Sequence, residues 1–122
     1  MIVGVGVDIT EVARIRAAVD HPQTGERFRA RVFTEEEIRY CTSRRNAHES
    51  FAARFAAKEA MMKALGVACG WREIGVVRSN GPPTVRLTGR AATRAAELGI
   101  RRINLSLSHT AGLAIAYVVA ES

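Results

Sequence analysis

The chain has 122 residues, of which 48% are hydrophobic and 25% are charged; these values are typical of a folded protein and exclude intrinsic disorder. Its length fits one domain of about 100–200 residues, so we predict a single domain over residues 1–122. Eighteen basic and twelve acidic residues give a net charge of +6. This excess predicts an acidic partner or substrate, which could be nucleic acid, an acidic protein or a phosphorylated small molecule.

Neither a targeting leader nor a membrane-spanning segment is predicted. No basic leader precedes the first apolar run, and Asp8 interrupts that run, which does not fit a signal peptide. The longest apolar run, residues 111–120, is far shorter than the roughly 20 residues that a spanning helix needs. Cys41 and Cys69 lack the spacing of a zinc site and are expected to be buried free thiols in a cytosolic protein, although a disulfide stays open.

The first predicted element is a strand over residues 2–8. Its alternation gives two faces, with Val3, Val5 and Val7 on one and Gly4, Gly6 and Asp8 on the other. A glycine face allows another element to approach closely. Asp8 is expected at the end of the strand, where that closely packed face opens.

A helix is predicted to follow, with Thr10 as its N-cap and an end near residue 20. Its buried stripe is formed by Val12, Ile15 and Val19. Residues 21–25 contain Pro22 and Gly25 and are expected to form a loop.

Two capping signals introduce the next helices. Thr34 and Glu37 form a capping box at the start of a short helix that ends near Ser43. A second capping signal at residues 46–49 opens a long helix over residues 47–65, for which Gly66 is a suitable C′ residue.

Four strands and one helix are predicted in the rest of the chain. They are strand 74–79, strand 84–87, helix 91–98, strand 103–108 and strand 113–119. Residues 80–83 (Asn-Gly-Pro-Pro) are expected to form a turn, and residues 109–112 a hairpin turn with His109 at its tip. Together the elements predict an α+β fold, in which a small, mostly antiparallel sheet packs around a long central helix.

Over residues 51–65 the long helix is apolar apart from four charges on one half of its surface: Arg54, Lys58, Glu59 and Lys63. The two lysines are the only ones in the chain, because every other basic residue is arginine. Lysine is a compact point charge and arginine a planar fork, so lysines on either side of Glu59 indicate phosphate and metal chemistry. The alternative is a solvated stripe in which Glu59 and Lys63 form an i,i+4 ion pair.

Asp8 and Glu59 are the candidate metal ligands. Mg²⁺ usually takes one or two carboxylates, several waters and substrate phosphates, and with Lys63 this set fits displacement at a phosphorus centre. The alternative for Asp8 is an exposed residue that leads into the next helix. His109 and Thr110 are candidate phosphate contacts, the alternative for His109 being a turn residue that bonds to backbone. We find neither a nucleophilic triad nor a Walker loop.

Three stretches resemble the holo-acyl-carrier-protein synthases, which are small 4′-phosphopantetheinyl transferases. They are GVGVDITEVARI at residues 4–15, FAARFAAKEAMMKALG at residues 51–66 and LSLSHTAGLAIAYVVAE at residues 105–121. The middle stretch is the most specific of the three. The resemblance implies a 4′-phosphopantetheinyl transferase-like fold and transfer of phosphopantetheine from coenzyme A to a serine of an apo acyl carrier protein. The other product is adenosine 3′,5′-bisphosphate.

The resemblance also implies roles for individual residues. Asp8 and Glu59 hold Mg²⁺ on the pyrophosphate, and Lys63 binds phosphate, so these three form the expected catalytic set. Glu59 is the candidate base, directly or through a water bound to the metal, and both routes stay open. The expected contacts to the coenzyme A nucleotide are Arg54, His109, Thr110 and, in the turn against the adenine, Gly81 and Pro83.

The resemblance further implies a homotrimer with active sites between adjacent subunits and an acidic carrier as partner, with no role for nucleic acid or a membrane. Arg14 matches a carrier-binding position of the family. Arg16, Arg27 and Arg31 are added from their charge, because basic side chains suit an acidic partner. A generally basic surface is the alternative. The sequence does not distinguish fatty-acid from polyketide carriers.

Two other functions compete with this hypothesis. A small basic nucleic-acid-binding domain would explain the charge. However, aromatic content is only 6% and no recognition motif is present. A magnesium-dependent nucleotide hydrolase would share the metal site and differ only in the reaction it catalyses.

Overall fold

The computed structural model describes residues 1–122 and contains five helices and five strands. In chain order they are β1 (Ile2–Glu11), α1 (Val12–Val19), α2 (Gly25–Val32), α3 (Glu35–Thr42), α4 (Ala47–Leu65), β2 (Ile74–Val77), β3 (Thr84–Leu87), α5 (Gly89–Glu97), β4 (Arg102–Thr110) and β5 (Leu113–Glu121), with a 3-10 turn at Trp71–Glu73.

The helix α4 is the centre of the fold. A three-stranded antiparallel sheet, in the order β1-β5-β4, packs against it, and β2 and β3 form a separate antiparallel pair. One apolar cluster follows the second half of α4 towards β2 and α5, and another follows its first half towards α1, α2 and α3. The predicted α+β fold around a long central helix is therefore confirmed, as are the predicted bounds of α4.

The glycine face of β1 explains how this strand can lie so close to α4. A Cβ at Gly6 would lie 2.8 Å from the carbonyl carbon of Ala60, and one at Gly4 would lie 3.1 Å from that of Ala64. Because both distances are shorter than ordinary van der Waals contact, only glycine allows this crossing. The close approach predicted for this face is confirmed.

The strand β1 is longer than predicted, since it pairs with β5 as far as Glu11 opposite Leu113. Asp8 therefore lies within the strand, and the prediction that it ends the strand is wrong. Thr10 does not cap α1; it is buried in the strand, and its hydroxyl donates to Asp8 Oδ2 at 2.9 Å. Strand pairing has overridden the local capping preference. The predicted stripe of α1 is buried.

The helix ends agree with the sequence in two of three places. The capping box of α3 is present, with Thr34 and Glu37 exchanging side-chain to backbone hydrogen bonds. Gly66 follows α4 in the left-handed conformation (φ 72°). Asn46 stands at the start of α4 but its side chain makes no capping hydrogen bond, so the second predicted capping interaction is absent.

The hairpin between β4 and β5 turns over only two residues, Ala111 and Gly112, which both have positive φ (51° and 78°). This is the geometry of a tight hairpin turn that matches the twist of its strands. Pairing continues to Thr110 opposite Leu113, so His109 lies within β4. The prediction that His109 is at the tip of the hairpin is wrong. None of the helices has the length and apolar character needed to cross a membrane.

Candidate active site

Asp8 lies on the inner face of β1, where this strand crosses α4. Its side chain is 18% exposed, and its Oδ1 atom is 3.5 Å from Nζ of Lys63. Lys63 also donates to the carbonyl oxygen of Val7 at 2.8 Å. The fold therefore brings together Asp8 and Lys63, which are 55 positions apart in the sequence.

Glu59 stands one helical turn before Lys63 on α4, so the two side chains leave the helix about 40° apart. No ion pair joins them, because Lys63 is directed to β1. The predicted alternative, a surface ion pair within the helix, is thus not formed. Glu59 is half-buried and its carboxylate has no hydrogen-bond partner within the chain, which leaves it able to bind a cation or a proton.

We call Asp8, Glu59 and Lys63 the carboxylate cluster, and the donor chemistry of its two carboxylates fits Mg²⁺. Asp8 and Glu59 supply carboxylate oxygens, and hard oxygen ligands are what this ion prefers. No group of three or more His, Cys, Asp or Glu side chains is placed to hold a metal. An ion held by these two carboxylates would therefore complete its coordination with water and phosphate oxygens, as Mg²⁺ commonly does.

Lys58 does not belong to this cluster. Its ammonium group is fully buried, bonded to Glu37 Oε1 at 2.7 Å and to the carbonyl oxygens of Trp71 (3.1 Å) and Ile74. Burial lowers the pKa of Lys58, although the attraction of Glu37 opposes this shift. The hypothesis that lysines on both sides of Glu59 serve phosphate chemistry is therefore wrong for Lys58. Consecutive helical residues point about 100° apart, so residues 58 and 59 cannot share one face.

Arg54 is buried as well, which contradicts its assignment to a solvated stripe. It is 4% exposed, its guanidinium lies 4.3 Å from the ring centroid of Tyr40, and its Nη1 donates to the Ser50 carbonyl oxygen at 3.3 Å. Its Nε has no hydrogen-bond partner. Arg54 lines a cavity of about 220 Å³ together with other charged side chains: Arg44, Glu49, Arg78 and His109. We call this cavity the arginine pocket.

His109 lies at the rim of the arginine pocket, where its Nδ1 is 2.6 Å from Glu49 Oε2. Pairing with a carboxylate replaces the backbone contact considered for a turn histidine. Thr110 follows it as an exposed residue at the end of β4. The sequence did not identify Arg44, Glu49 or Arg78 as members of this site, because only long-range packing brings them to β4.

The carboxylate cluster and the arginine pocket lie on different sides of α4. Arg54 and Glu59 are five positions apart and so leave the helix about 140° apart. Asp8 is on β1 and His109 on β4, which are the two outer strands of the β1-β5-β4 sheet. Strands are about 4.8 Å apart, so these edges are about 10 Å from each other. The carboxylate cluster and the arginine pocket are therefore two separate regions of the chain.

The remaining predicted site residues lie at the surface. The turn with Gly81 (φ 94°) and Pro83 connects β2 to β3 shortly after Arg78. The carrier-binding candidates are all exposed and lie on two helices that pack together, α1 and α2: Arg14, Arg16, Arg27 and Arg31. Cys41 and Cys69 are both free, the first buried and the second half-buried.

Comparison with known proteins identifies the family to which this chain belongs. The model of the 4′-phosphopantetheinyl transferase superfamily matches residues 4–118. The chain is a member of this superfamily. A holo-[acyl-carrier-protein] synthase from Anaeromyxobacter sp. (strain K) is 48% identical over 124 residues, which cover 99% of this chain and 97% of that protein. The synthase from Koribacter versatilis is 48% identical over 126 residues, 99% of each.

Solved transferase structures have the same fold. The holo-[acyl-carrier-protein] synthase from Neisseria meningitidis superposes with a TM-score of 0.85 at 35% identity, over 100% of both chains. The synthase from Helicobacter pylori in complex with coenzyme A gives 0.82 at 31% identity, over 96% of this chain and 99% of that one. The resemblance found in the three sequence stretches is confirmed for both family and fold.

Proposed function

We propose that this protein transfers 4′-phosphopantetheine from coenzyme A to a serine of an apo acyl carrier protein, with release of adenosine 3′,5′-bisphosphate. The observation that supports the proposal is the contact between Asp8 and Lys63 where β1 crosses α4, with Glu59 one helical turn before Lys63, in a chain 48% identical to holo-[acyl-carrier-protein] synthases. Members with coenzyme A bound support the choice of donor.

The carboxylates of Asp8 and Glu59 would hold Mg²⁺ against the diphosphate of coenzyme A. Bound there, Mg²⁺ would withdraw charge from the phosphoryl oxygens and stabilise the leaving bisphosphate. Lys63 neutralises further phosphate charge, and its contacts with Val7 and Asp8 hold its ammonium group at the site. Glu59 accepts the proton of the carrier serine, directly or through an intervening water.

The arginine pocket and its surroundings would bind the nucleotide part of coenzyme A, through Arg54, His109 and Thr110. The turn with Gly81 and Pro83 would lie against the adenine. The pocket and the carboxylate cluster lie on different sides of α4, so we propose that coenzyme A binds between two copies of the chain. In the homotrimer that the family resemblance implies, the carboxylate cluster of one subunit would face the arginine pocket of the next.

The outer face of the three-stranded sheet supports the same assembly. Large apolar side chains are exposed there: Val5 (51%), Val7 (46%), Ile9 (61%) and Tyr117 (47%). A contiguous exposed apolar patch is typical of an interaction surface. Head-to-tail contacts between identical chains close into a ring when the rotation allows it, and three copies is the number that the family resemblance implies.

We further propose that Arg14, Arg16, Arg27 and Arg31 contact the acidic carrier. All four are exposed, and a basic surface speeds association with an acidic partner in a salt-dependent way. Residues 1–122 would act as one transferase domain in the cytoplasm, serving carriers of fatty acid biosynthesis.

Intact mass spectrometry of the carrier tests the reaction. We expect one added phosphopantetheine when the protein is mixed with Mg²⁺, coenzyme A and an apo carrier, and none when Mg²⁺ is chelated. Asp8→Asn and Glu59→Gln should abolish the mass gain without unfolding the protein, whereas Asp20→Asn, a change at an exposed carboxylate, should not. No mass gain across several carriers would contradict the proposal. Coenzyme A cleavage without transfer would favour the hydrolase, and retention of duplex DNA without transfer the nucleic-acid-binding domain.

Light scattering after gel filtration tests the assembly. Val7→Lys places a charge in the apolar face and should yield monomers without activity. Val67→Lys alters an exposed valine outside that face (37% exposed) and should leave both assembly and activity unchanged. An active Val7→Lys trimer would exclude this face as the interface.

A further inference from the structure

The arginine pocket has an excess of positive charge that the chain does not neutralise. Arg44, Arg54 and Arg78 line it, and none of them forms a salt bridge. Arg54 is almost fully buried with its Nε unbonded. A buried cationic donor without an acceptor is costly, so the pocket is suited to an anion with several oxygen acceptors.

Under the proposed function, coenzyme A supplies one anion for this pocket. Its diphosphate is assigned to Asp8, Glu59 and Lys63. The phosphate that is left is the 3′-phosphate monoester on the ribose, which carries up to two charges and three acceptor oxygens. The inference that follows therefore rests on the proposed function.

Glu49 is the one carboxylate in the pocket, and it is bonded to His109. A carboxylate can only accept, so Nδ1 of His109 carries the hydrogen of this 2.6 Å bond. Nε2 is then the ring nitrogen available to a ligand. His109 is held on β4 by pairing opposite Ala114, and Glu49 lies in the first turn of α4, so two rigid elements fix the geometry of the pair.

We infer that Glu49 is a positioning residue that acts through His109: by accepting from Nδ1 it orients the imidazole, so that Nε2 contacts the 3′-phosphate. The titratable and charged groups that face this pair are Tyr40 from α3, Arg44 from the turn before α4, Arg54 from α4 and Arg78 from the segment after β2. All the charged ones are cations, so the pair receives a phosphate in surroundings that favour negative charge.

The opposite role for Glu49 is that of a competing anion. In that case the carboxylate would occupy His109 and repel the phosphate, and its removal would tighten binding. The two roles predict opposite changes in coenzyme A affinity for one substitution, Glu49→Gln. This substitution keeps the shape of the side chain and removes its charge.

Calorimetric titration with coenzyme A and with 3′-dephospho-coenzyme A, without carrier, decides between them. Glu49→Gln should bind coenzyme A about fivefold more weakly, the effect of one hydrogen bond to a charged group at a partly exposed site, and should bind the dephospho analogue as the unsubstituted protein does. In a His109→Ala background, Glu49→Gln should cause no further loss of affinity for coenzyme A. In turnover, KM for coenzyme A should rise while kcat is unchanged.

Glu97→Gln, at an exposed carboxylate on α5, is the matched control and should change nothing. Unchanged or tighter coenzyme A binding by Glu49→Gln would overturn the inference, as would an equal loss for both ligands or a loss that persists without His109. If the unsubstituted protein does not bind coenzyme A, the proposed function fails together with this inference. If the unsubstituted protein binds coenzyme A but any of the other contrary results is obtained, only the inference about Glu49 is refuted and the proposed function stands.

Discussion

Replacing Glu37 by glutamine should destabilise the protein strongly, although Glu37 lies outside the carboxylate cluster and the arginine pocket. Its carboxylate is fully buried and accepts three hydrogen bonds. Oε1 accepts from the backbone of Thr34 (2.8 Å) and from Lys58 Nζ (2.7 Å), and Oε2 accepts from the backbone of Val76 (2.9 Å). One side chain thereby links α3, α4 and β2.

The magnitude follows from what glutamine cannot replace. Glutamine has one acceptor oxygen, so its NH₂ group must face at least one N–H donor that the carboxylate now satisfies. Lys58 also loses its counter-charge in a site with no exposed surface. Breaking a buried ion pair from one side costs about 3–5 kcal/mol, and we expect the unfolding free energy to fall by that amount.

The loss of unfolding free energy caused by Glu37→Gln should become smaller as pH rises. Burial lowers the pKa of Lys58 below its ordinary 10.5, and without Glu37 that pKa should fall further. Between the lowered pKa and 10.5 the folded protein binds fewer protons than the unfolded chain, so the unfolding free energy rises with pH. The destabilisation of the Glu37→Gln variant should therefore be larger at pH 6 than at pH 9.

Urea unfolding followed by circular dichroism measures these changes. Glu36→Gln is the matched control, because the neighbouring carboxylate is 51% exposed and only 3.7 Å from an exposed arginine; such pairs contribute about 0–1 kcal/mol. The double variant Glu37→Met/Lys58→Met should recover part of the loss, since it leaves no unpaired buried charge, although the backbone N–H groups of Thr34 and Val76 lose their acceptor. A loss below about 1 kcal/mol for Glu37→Gln would refute the reasoning, because a buried charge-pair break should exceed that value.

Three further predictions concern the strand crossing, the phosphate lysine and a buried thiol. Gly6→Ala should destabilise the protein by about 1–3 kcal/mol in urea unfolding and reduce transfer, because its Cβ meets the carbonyl of Ala60. The control Gly75→Ala, where the nearest atom would be 3.7 Å away, should be tolerated. Lys63→Arg should lower kcat/KM for coenzyme A in the transfer assay at unchanged stability, since a planar fork does not replace a point charge; full activity would contradict this. Burial raises the pKa of the Cys41 thiol from 9.0 to about 12, so the folded state keeps a proton that the unfolded chain loses. The unfolding free energy should therefore fall as pH rises above 9, and Cys41→Ala should remove this part of the slope.

Features set by neighbouring residues could be predicted from the sequence. The capping box at Thr34, the bounds of α4 and the left-handed Gly66 depend on backbone groups within one or two turns. The glycine face of β1 was also predictable, because strand alternation puts Gly4 and Gly6 on one side. The same local rules failed at Thr10, where pairing between β1 and β5 extends the strand and uses the hydroxyl for Asp8.

The sequence by itself determined the central helix and the residue types of the carboxylate cluster, because helical period and strand alternation fix the direction of each side chain relative to its own element. Only the tertiary structure decided what each direction meets. It buried Lys58 against Glu37 and left Lys63 at the crossing with β1. It also enclosed Arg54 in a pocket on the other side of α4. The physical reason is that burial and pairing depend on elements far apart in the chain, and the period of a helix contains no information about which neighbour covers each face.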